Sequence, residues 1–276
     1  GDYVALNEVS LSVPKGSIYG LLGPNGAGKS TTMGMLTGYL NATSGTVELE
    51  GRLITTTSTN VRREVGYLPE NTPLYSDMYV KEFLSFVGET YGLKNLKQSV
   101  EEVIKQVGLT PEQHKKISML SKGYKQRVGI AQAIIHNPKV LILDEPTSGL
   151  DPNQLTDIRT LISELGKDKI IIISTHIMQE VEAICDRVII IDKGKIVADK
   201  KLEKLISEST TQIIEVEFDQ KVSETQIATI DTIHSYTTTN GIIWELTFAT
   251  DKDMRPVVFD FATANGLKTL QLNQKN

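Results

Sequence analysis

The sequence predicts an α/β protein: a core wound around a glycine-rich loop, with an antiparallel β part and a helical insertion, and then a small α+β unit. Three observations carry this. Gly23-Pro24-Asn25-Gly26-Ala27-Gly28-Lys29-Ser30-Thr31 fits G-x-x-x-x-G-K-[ST], with the apolar run Ile18–Leu22 before it and the helix-compatible run Ser30–Leu40 after it. From Asn71 to Leu120 apolar residues recur at helical spacing between two strand-rich halves. Past residue 210 the segments follow in the order β-α-β-β-α-β, which fits a ferredoxin-like unit.

Composition narrows the class. The 276 residues suffice for one large domain, or for one domain and a small one. A net charge of -5 argues against a general nucleic-acid binder, which is usually basic. No apolar run approaches the ~20 residues of a membrane helix. The longest, such as Lys139–Leu143 and Ile170–Ile173, are strand-length. No signal peptide is recognised. Cys185, the only cysteine, excludes an internal disulfide, suits a reducing compartment and is expected as a small buried helix residue. The chain does not open on Met, and the register from Tyr3 to Leu6 is that of a chain trimmed inside an element.

Taken in order, residues 1–22 read as two strands about the turn Pro14-Lys15-Gly16. Thr46–Glu50 and Arg52–Ile54 alternate as a hairpin about Gly51, and Val65–Leu68 is a short strand stopped by Pro69. Val80, Phe83, Leu84 and Val87 share one helix face, as do Val100, Val103, Ile104 and Val107; Pro111 is expected to start another short helix. The charges Lys94, Lys97, Glu101, Glu102 and Lys105 read as a solvated face. Ser121 is a good N-cap for the helix through Val128, Ala131, Ile134 and Ile135, and Asn137-Pro138 ends it. Ser148-Gly149-Leu150-Asp151-Pro152 turns into a helix with Ile158, Leu161, Ile162 and Leu165 on one face. Arg187–Ile191 and Lys195–Ala198 form a hairpin about Lys193-Gly194.

The chemistry follows from the loop. Small residues let backbone N–H groups turn inward around phosphate oxygens, and the helix N-terminus adds its positive dipole end. Lys29 would reach the β- and γ-phosphates of a nucleotide, and the Ser30 hydroxyl would ligate Mg²⁺. Val140–Leu143 is an apolar strand that delivers Asp144 and Glu145 at its C-terminal end, where open parallel sheets place their ligand crevice. Asp144 is placed to hold the metal, directly or through water, and Glu145 to orient and polarise an attacking water. Ile170–Ile173 ends in Ser174-Thr175-His176. A lone histidine is usually structural, and His114, His136 and His234 are taken as such. His176, just past a core strand, is expected to hydrogen-bond a γ-phosphate.

These segments, in this order, resemble the ATP-binding subunits of ABC transporters over residues 1–206, with a helical subdomain about 71–137. The resemblance implies a P-loop core of ABC type, Mg·ATP hydrolysis, two ATP molecules sandwiched in a head-to-tail dimer, and a separate membrane permease on the inner face of the cell membrane. It implies that Ser121 and Gly123 contact the γ-phosphate of ATP held by the other subunit, that Thr31 lies near the α-phosphate, and that Asp151 belongs to a loop crossing the dimer interface. Two departures stand out. Lys122 and Tyr124 replace the Gly and Gln of the usual Leu-Ser-Gly-Gly-Gln, and the Gln-loop position carries Glu70, which adds negative charge near the metal. Gly66-Tyr67-Leu68-Pro69-Glu70 with Ser121-Lys122-Gly123-Tyr124 is similar to the ABC-2-type exporters, most closely the gliding-motility group. The family's adenine-stacking aromatic lies just before a Tyr-Gly near the N-terminus. Gly1 matches that glycine, so the stacking residue is expected to be cut off, with Tyr3 as substitute and ATP affinity weakened.

The alternative reading is a nucleotide-dependent switch on a protein or nucleic acid, without transport. Such ATPases generally carry two cassettes or a long coiled-coil insertion, and this chain has neither. A binding-only regulator is opposed by the intact Lys29, Asp144, Glu145 and His176. Ser207–Thr210 reads as a linker to an accessory domain, 211–276, whose hairpin signal is Asn240-Gly241. That domain carries no catalytic cluster, and Trp244 is expected in its core.

Overall fold

The computed structural model describes residues 4–209, 211–250 and 252–275. The chain separates into two compact units, Gly1–Leu202 and Glu203–Asn276. Gly1 and Tyr3, and with them the expected adenine platform, lie outside the described residues.

In the first unit the strands are β1 (Ile18–Leu22), β4 (Val65–Leu68), β5 (Val140–Asp144), β6 (Ile170–Thr175), β7 (Arg187–Asp192) and β8 (Lys195–Lys201), with the ribbon β2 (Glu48–Leu49) and β3 (Arg52–Leu53). The helices are α1 (Lys29–Leu36), α2 (Thr59–Arg62), α3 (Val80–Thr90), α4 (Leu96–Gln106), α5 (Lys122–Ile134), α6 (Pro152–Gly166) and α7 (Met178–Ile184). The main sheet has six strands in the order β4-β5-β6-β1-β7-β8. Every pair is parallel except β7–β8, which the tight turn at Lys193-Gly194 makes antiparallel. Helices cover both faces of the central strands, so these read as unbroken apolar runs rather than alternating ones. All of Val140–Asp144 and Ile170–Thr175 is buried. The ribbon is held to the sheet edge by charge: Arg52 pairs with Glu64 at 2.6 Å and Lys139 with Glu64 at 3.0 Å, which lowers the Glu64 carboxyl to about 2.

Four expectations need correction. Residues 4–17 form no strand, although Leu6, Leu11 and Val13 pack against the core. Alternation was met by side-chain burial, without the backbone ladder that defines a strand. The first helix ends at Leu36, because Gly38 takes φ +69° and breaks the right-handed path. Pro111 opens a run of turns, and the only regular turn before Ser121 is the 3₁₀ segment Ile117–Met119. Most of the stretch read as a linker is helical: α8 (Leu202–Ser209) runs through Ser207-Glu208-Ser209, and Thr210 lies outside the described residues.

The second unit contains β9 (Thr211–Phe218), α9 (Glu224–Ile227), β10 (Ile233–Thr238), β11 (Ile243–Ala249), α10 (Arg255–Ala264) and β12 (Thr269–Lys275). Its sheet runs β10-β11-β9-β12, all antiparallel. Alternate residues of β9 and β11 (Ile214, Val216, Phe218 and Trp244, Leu246, Phe248) form one buried face with Val258 and Ala262 of α10. At the hairpin, Asn240 Oδ1 accepts the N–H groups of Ile242 and Ile243, both at 2.9 Å. This side chain substitutes for a strand partner and turns the chain back.

Candidate active site

Strands β1, β5 and β6 end level with one another, because Leu22 pairs with Thr175 and Asp144 with Ser174. Parallel strands deliver their exit loops to one edge, and those loops enclose a crevice. Here it is a cleft of about 410 Å³, lined by Ala5, Asn25, Gly26, Gly28, Lys29, Ser30, Thr31, Glu70, Asp144, Glu145, Ser148 and His176.

The loop after β1 needs glycine for two separate reasons. Gly23 passes so near β7 that a Cβ would stand 2.2 Å from the Ile191 carbonyl oxygen. Gly28 has φ +108°, which other residues rarely adopt, and starts α1. Lys29 is 6% exposed. Its Nζ donates to the carbonyl oxygens of Gly23 at 2.7 Å and Pro24 at 3.2 Å, and lies 3.9 Å from Glu145 Oε1. This places the Lys29 terminal amine at the cleft wall, the position from which a lysine meets polyphosphate oxygens. Gly23, Pro24 and Ala27 form the back of the loop, where Ala27 accepts the Gly194 N–H at 2.9 Å.

Asp144 is buried, and its Oδ1 accepts from the Ser174 hydroxyl. Glu145 then turns left-handed, φ +47°. Its N–H is held by the Ser174 carbonyl at 3.2 Å and the Ser174 hydroxyl at 3.1 Å. A non-glycine residue in this region costs on the order of 1 kcal/mol or more, and such strain gathers at working sites. The turn brings the Glu145 carboxylate to His176, whose Nδ1 donates to Oε1 at 3.0 Å and Oε2 at 3.1 Å. The Glu145 side chain is 10% exposed and that of His176 46%, so the carboxylate is sheltered while the imidazole meets solvent.

The donor set fits a hard divalent cation. The Ser30 hydroxyl and the carboxylates of Asp144 and Glu70 line the same cleft. Among the described residues no cluster of three or more His, Cys, Asp or Glu could hold a metal unaided. Mg²⁺ takes one or two protein ligands, with phosphate oxygens and water, rather than an all-protein cage.

Ser121, Gly123 and Asp151 do not line this cleft. Ser121 caps α5, its Oγ accepting the Tyr124 N–H at 3.4 Å, and Asp151 caps α6, accepting the Gln154 N–H at 2.9 Å. Gly123 packs where a Cβ would come 2.7 Å from the Gln154 side chain. Lys122 is exposed and lays its Nζ over Gly149, where a Cβ would stand 2.2 Å away. Gly149 directly follows Ser148, which lines the cleft, so Lys122 reaches toward the rim of the cleft rather than straight out to solvent.

Several contributors escaped sequence reasoning. Ser174 holds both Asp144 and Glu145, and Gln126 Nε2 donates to the Pro146 carbonyl at 2.7 Å, tying α5 to the exit of β5. The only sequence signal for Ser174 was its place at the end of an apolar run, two residues before His176. Cys185 is buried as expected, but it lies just past α7 in extended backbone rather than in a helix; burial pushes its thiol up to about 12.

The ABC transporter family model matches residues 6–148. The uncharacterized ABC transporter ATP-binding protein YxlF of Bacillus subtilis (strain 168) is 40% identical over 220 residues, covering 79% of this chain and 73% of that protein. The bacitracin transport ATP-binding protein BcrA of Bacillus licheniformis is 38% identical over 207 residues, covering 74% of this chain and 67% of that one. Among solved structures, cbiO1 from Clostridium perfringens, part of the ABC transporter complex cbiONQ, aligns with a TM-score of 0.68 and 30% identity over 74% of this chain and 85% of its own.

Proposed function

The chain belongs to the ABC transporter ATP-binding family and is an ATP-hydrolysing subunit that powers transport, and from this premise we propose that it works with Mg²⁺, as a head-to-tail pair, on an ABC-2-type exporter. The observation that carries the catalytic part is the Glu145–His176 hydrogen bond, 3.0 Å, in the same cleft as the buried Lys29. In this reading Lys29 and the loop amides from Gly23 to Thr31 hold the phosphates. Ser30 and Asp144, with Glu70 in the same cleft, would hold Mg²⁺, which when bound would neutralise charge on the phosphoryl oxygens. Glu145 orients the attacking water and receives its proton at the carboxylate. His176 steadies that carboxylate through Nδ1–H and leaves its other ring nitrogen for the γ-phosphate.

Ser121, Gly123 and Asp151 lie apart from their own chain's cleft, which supports their serving the cleft of a second subunit. The partner chains are a second ATPase and a membrane permease on the inner face of the membrane. Among the described residues no helix is long and apolar enough to cross a membrane. The BcrA likeness supports a small-molecule cargo. A narrower form of the proposal, kinship with the gliding-motility group, rests on Gly66–Glu70 and Ser121–Tyr124.

The test is ATP turnover with and without Mg²⁺. Glu145→Gln is expected to keep ATP binding and to lower kcat by about 100-fold or more. Wild-type turnover in that variant would overturn the assignment of the base.

A further inference from the structure

Glu180 stands in the first turn of α7 and is 4% exposed. Its carboxylate is held by two hydroxyls: Thr147 Oγ1 donates to Oε1, and Thr175 Oγ1 donates to Oε2 at 2.5 Å. Both threonines are buried. Among the described residues no lysine, arginine or histidine stands within ion-pair distance of Glu180. A carboxylate buried without a counter-ion is a costly way to fill space, since an apolar side chain of similar volume would pack there more cheaply. Its placement shows what it holds. Thr147 lies two residues after Glu145, and Thr175 immediately precedes His176.

We propose that Glu180 is a positioning residue, a clamp that joins the turn carrying Glu145 to the turn carrying His176 and so sets the geometry of that pair. The proposal rests on the reading of Glu145 and His176 as the catalytic pair. A carboxylate suits the task because it only accepts. Both threonines must then donate to it, and the Thr175 oxygen is left to accept the Ile177 N–H, as observed at 3.1 Å. Three backbone segments, the exits of β5 and β6 and the start of α7, are thereby fixed by one side chain. The left-handed turn at Glu145 needs such an anchor, because nothing in its intrinsic preference holds it there. Glu180 touches no phosphate-facing group and lines no part of the cleft, so its effect passes through the two threonines.

The experiment is steady-state ATP hydrolysis and equilibrium nucleotide binding on the full chain, for Glu180→Ala, Glu180→Gln and Glu145→Gln side by side. Glu180→Ala is expected to lower kcat by about 10- to 100-fold while nucleotide affinity stays within about twofold, the signature of lost positioning. Glu180→Gln fits the same space; its carbonyl accepts from Thr175 and its amide donates to Thr147, so kcat is expected to stay within about threefold of wild type. Unchanged kcat in Glu180→Ala overturns the clamp, as does a parallel loss of affinity and kcat in both Glu180 variants. If Glu180→Ala does not fold, Thr147→Val removes one arm only and is judged by the same split between kcat and affinity. If Glu145→Gln keeps wild-type turnover, the catalytic pair itself falls and the clamp with it. If Glu145→Gln is slow and Glu180→Ala is not, only the clamp falls.

Discussion

Gly23 shows how closely the site is built at single residues. A methyl group there would stand 2.2 Å from the Ile191 carbonyl oxygen, a backbone atom and not the flexible tip of a side chain. Gly23→Ala is therefore expected to cost about 1–3 kcal/mol of stability, read by denaturant unfolding, and to weaken ATP binding by displacing the loop. An unchanged unfolding midpoint would show that β7 yields more easily than its ladder to β1 implies. At this scale the sequence was most informative where chemistry is contiguous. Gly23 to Thr31 and Asp144-Glu145 can be recognised from neighbours in the chain. Ser174 and Glu180 cannot, because Glu145 and Asp144 lie 29 and 30 residues from Ser174, and Thr147 lies 33 from Glu180, so these partners meet only when β5 and β6 pair in one register.

Elements were legible to the extent that one dominant pattern governed them. The parallel strands came through because burial on both faces makes them continuous apolar runs, and α3, α4 and α6 because their apolar residues follow a 3.6-residue period. Residues 4–17 misled because burial of alternate side chains produces the same pattern with or without a strand partner. Ser207–Ser209 misled because local polarity resembles a linker, whereas the helix that opens at Leu202 runs through them.

The helix α5 brings a second consequence through His136, just past its end. The ring stacks flat on Tyr91, centroids 3.9 Å apart, and burial pulls its pKa from 6.5 to about 4, with Lys169 and Arg63 acting the same way and the nearby Val65 backbone carbonyl opposing. The unfolded chain thus binds a proton near pH 6.5 that the folded chain refuses until near pH 4. His136 contributes its full stability above pH 6.5, and this is lost as pH falls toward 4. Between pH 7 and 5 the loss is expected to be roughly 1 kcal/mol, after allowance for the ring's partial exposure. Urea unfolding at both pH values should show His136→Phe losing less than wild type. Equal losses would place the acid sensitivity elsewhere.

For the whole molecule, what the cleft includes and what it leaves out matters most. One face carries the cleft with Lys29, Asp144, Glu145 and His176; Ser121, Gly123 and Asp151 do not contribute to it and are already engaged in capping and packing. In the proposed head-to-tail pair, these residues would complete the cleft of a second subunit. Lys122 adds a local feature, since its Nζ covers Gly149 in the loop that leads to Asp151. The most direct measurement of this account is the solution mass of Glu145→Gln by light scattering, with and without Mg·ATP. The account predicts a shift from monomer to dimer on adding Mg·ATP, since hydrolysis no longer dissolves the pair. A mass that stays monomeric while ATP is demonstrably bound would contradict the composite site.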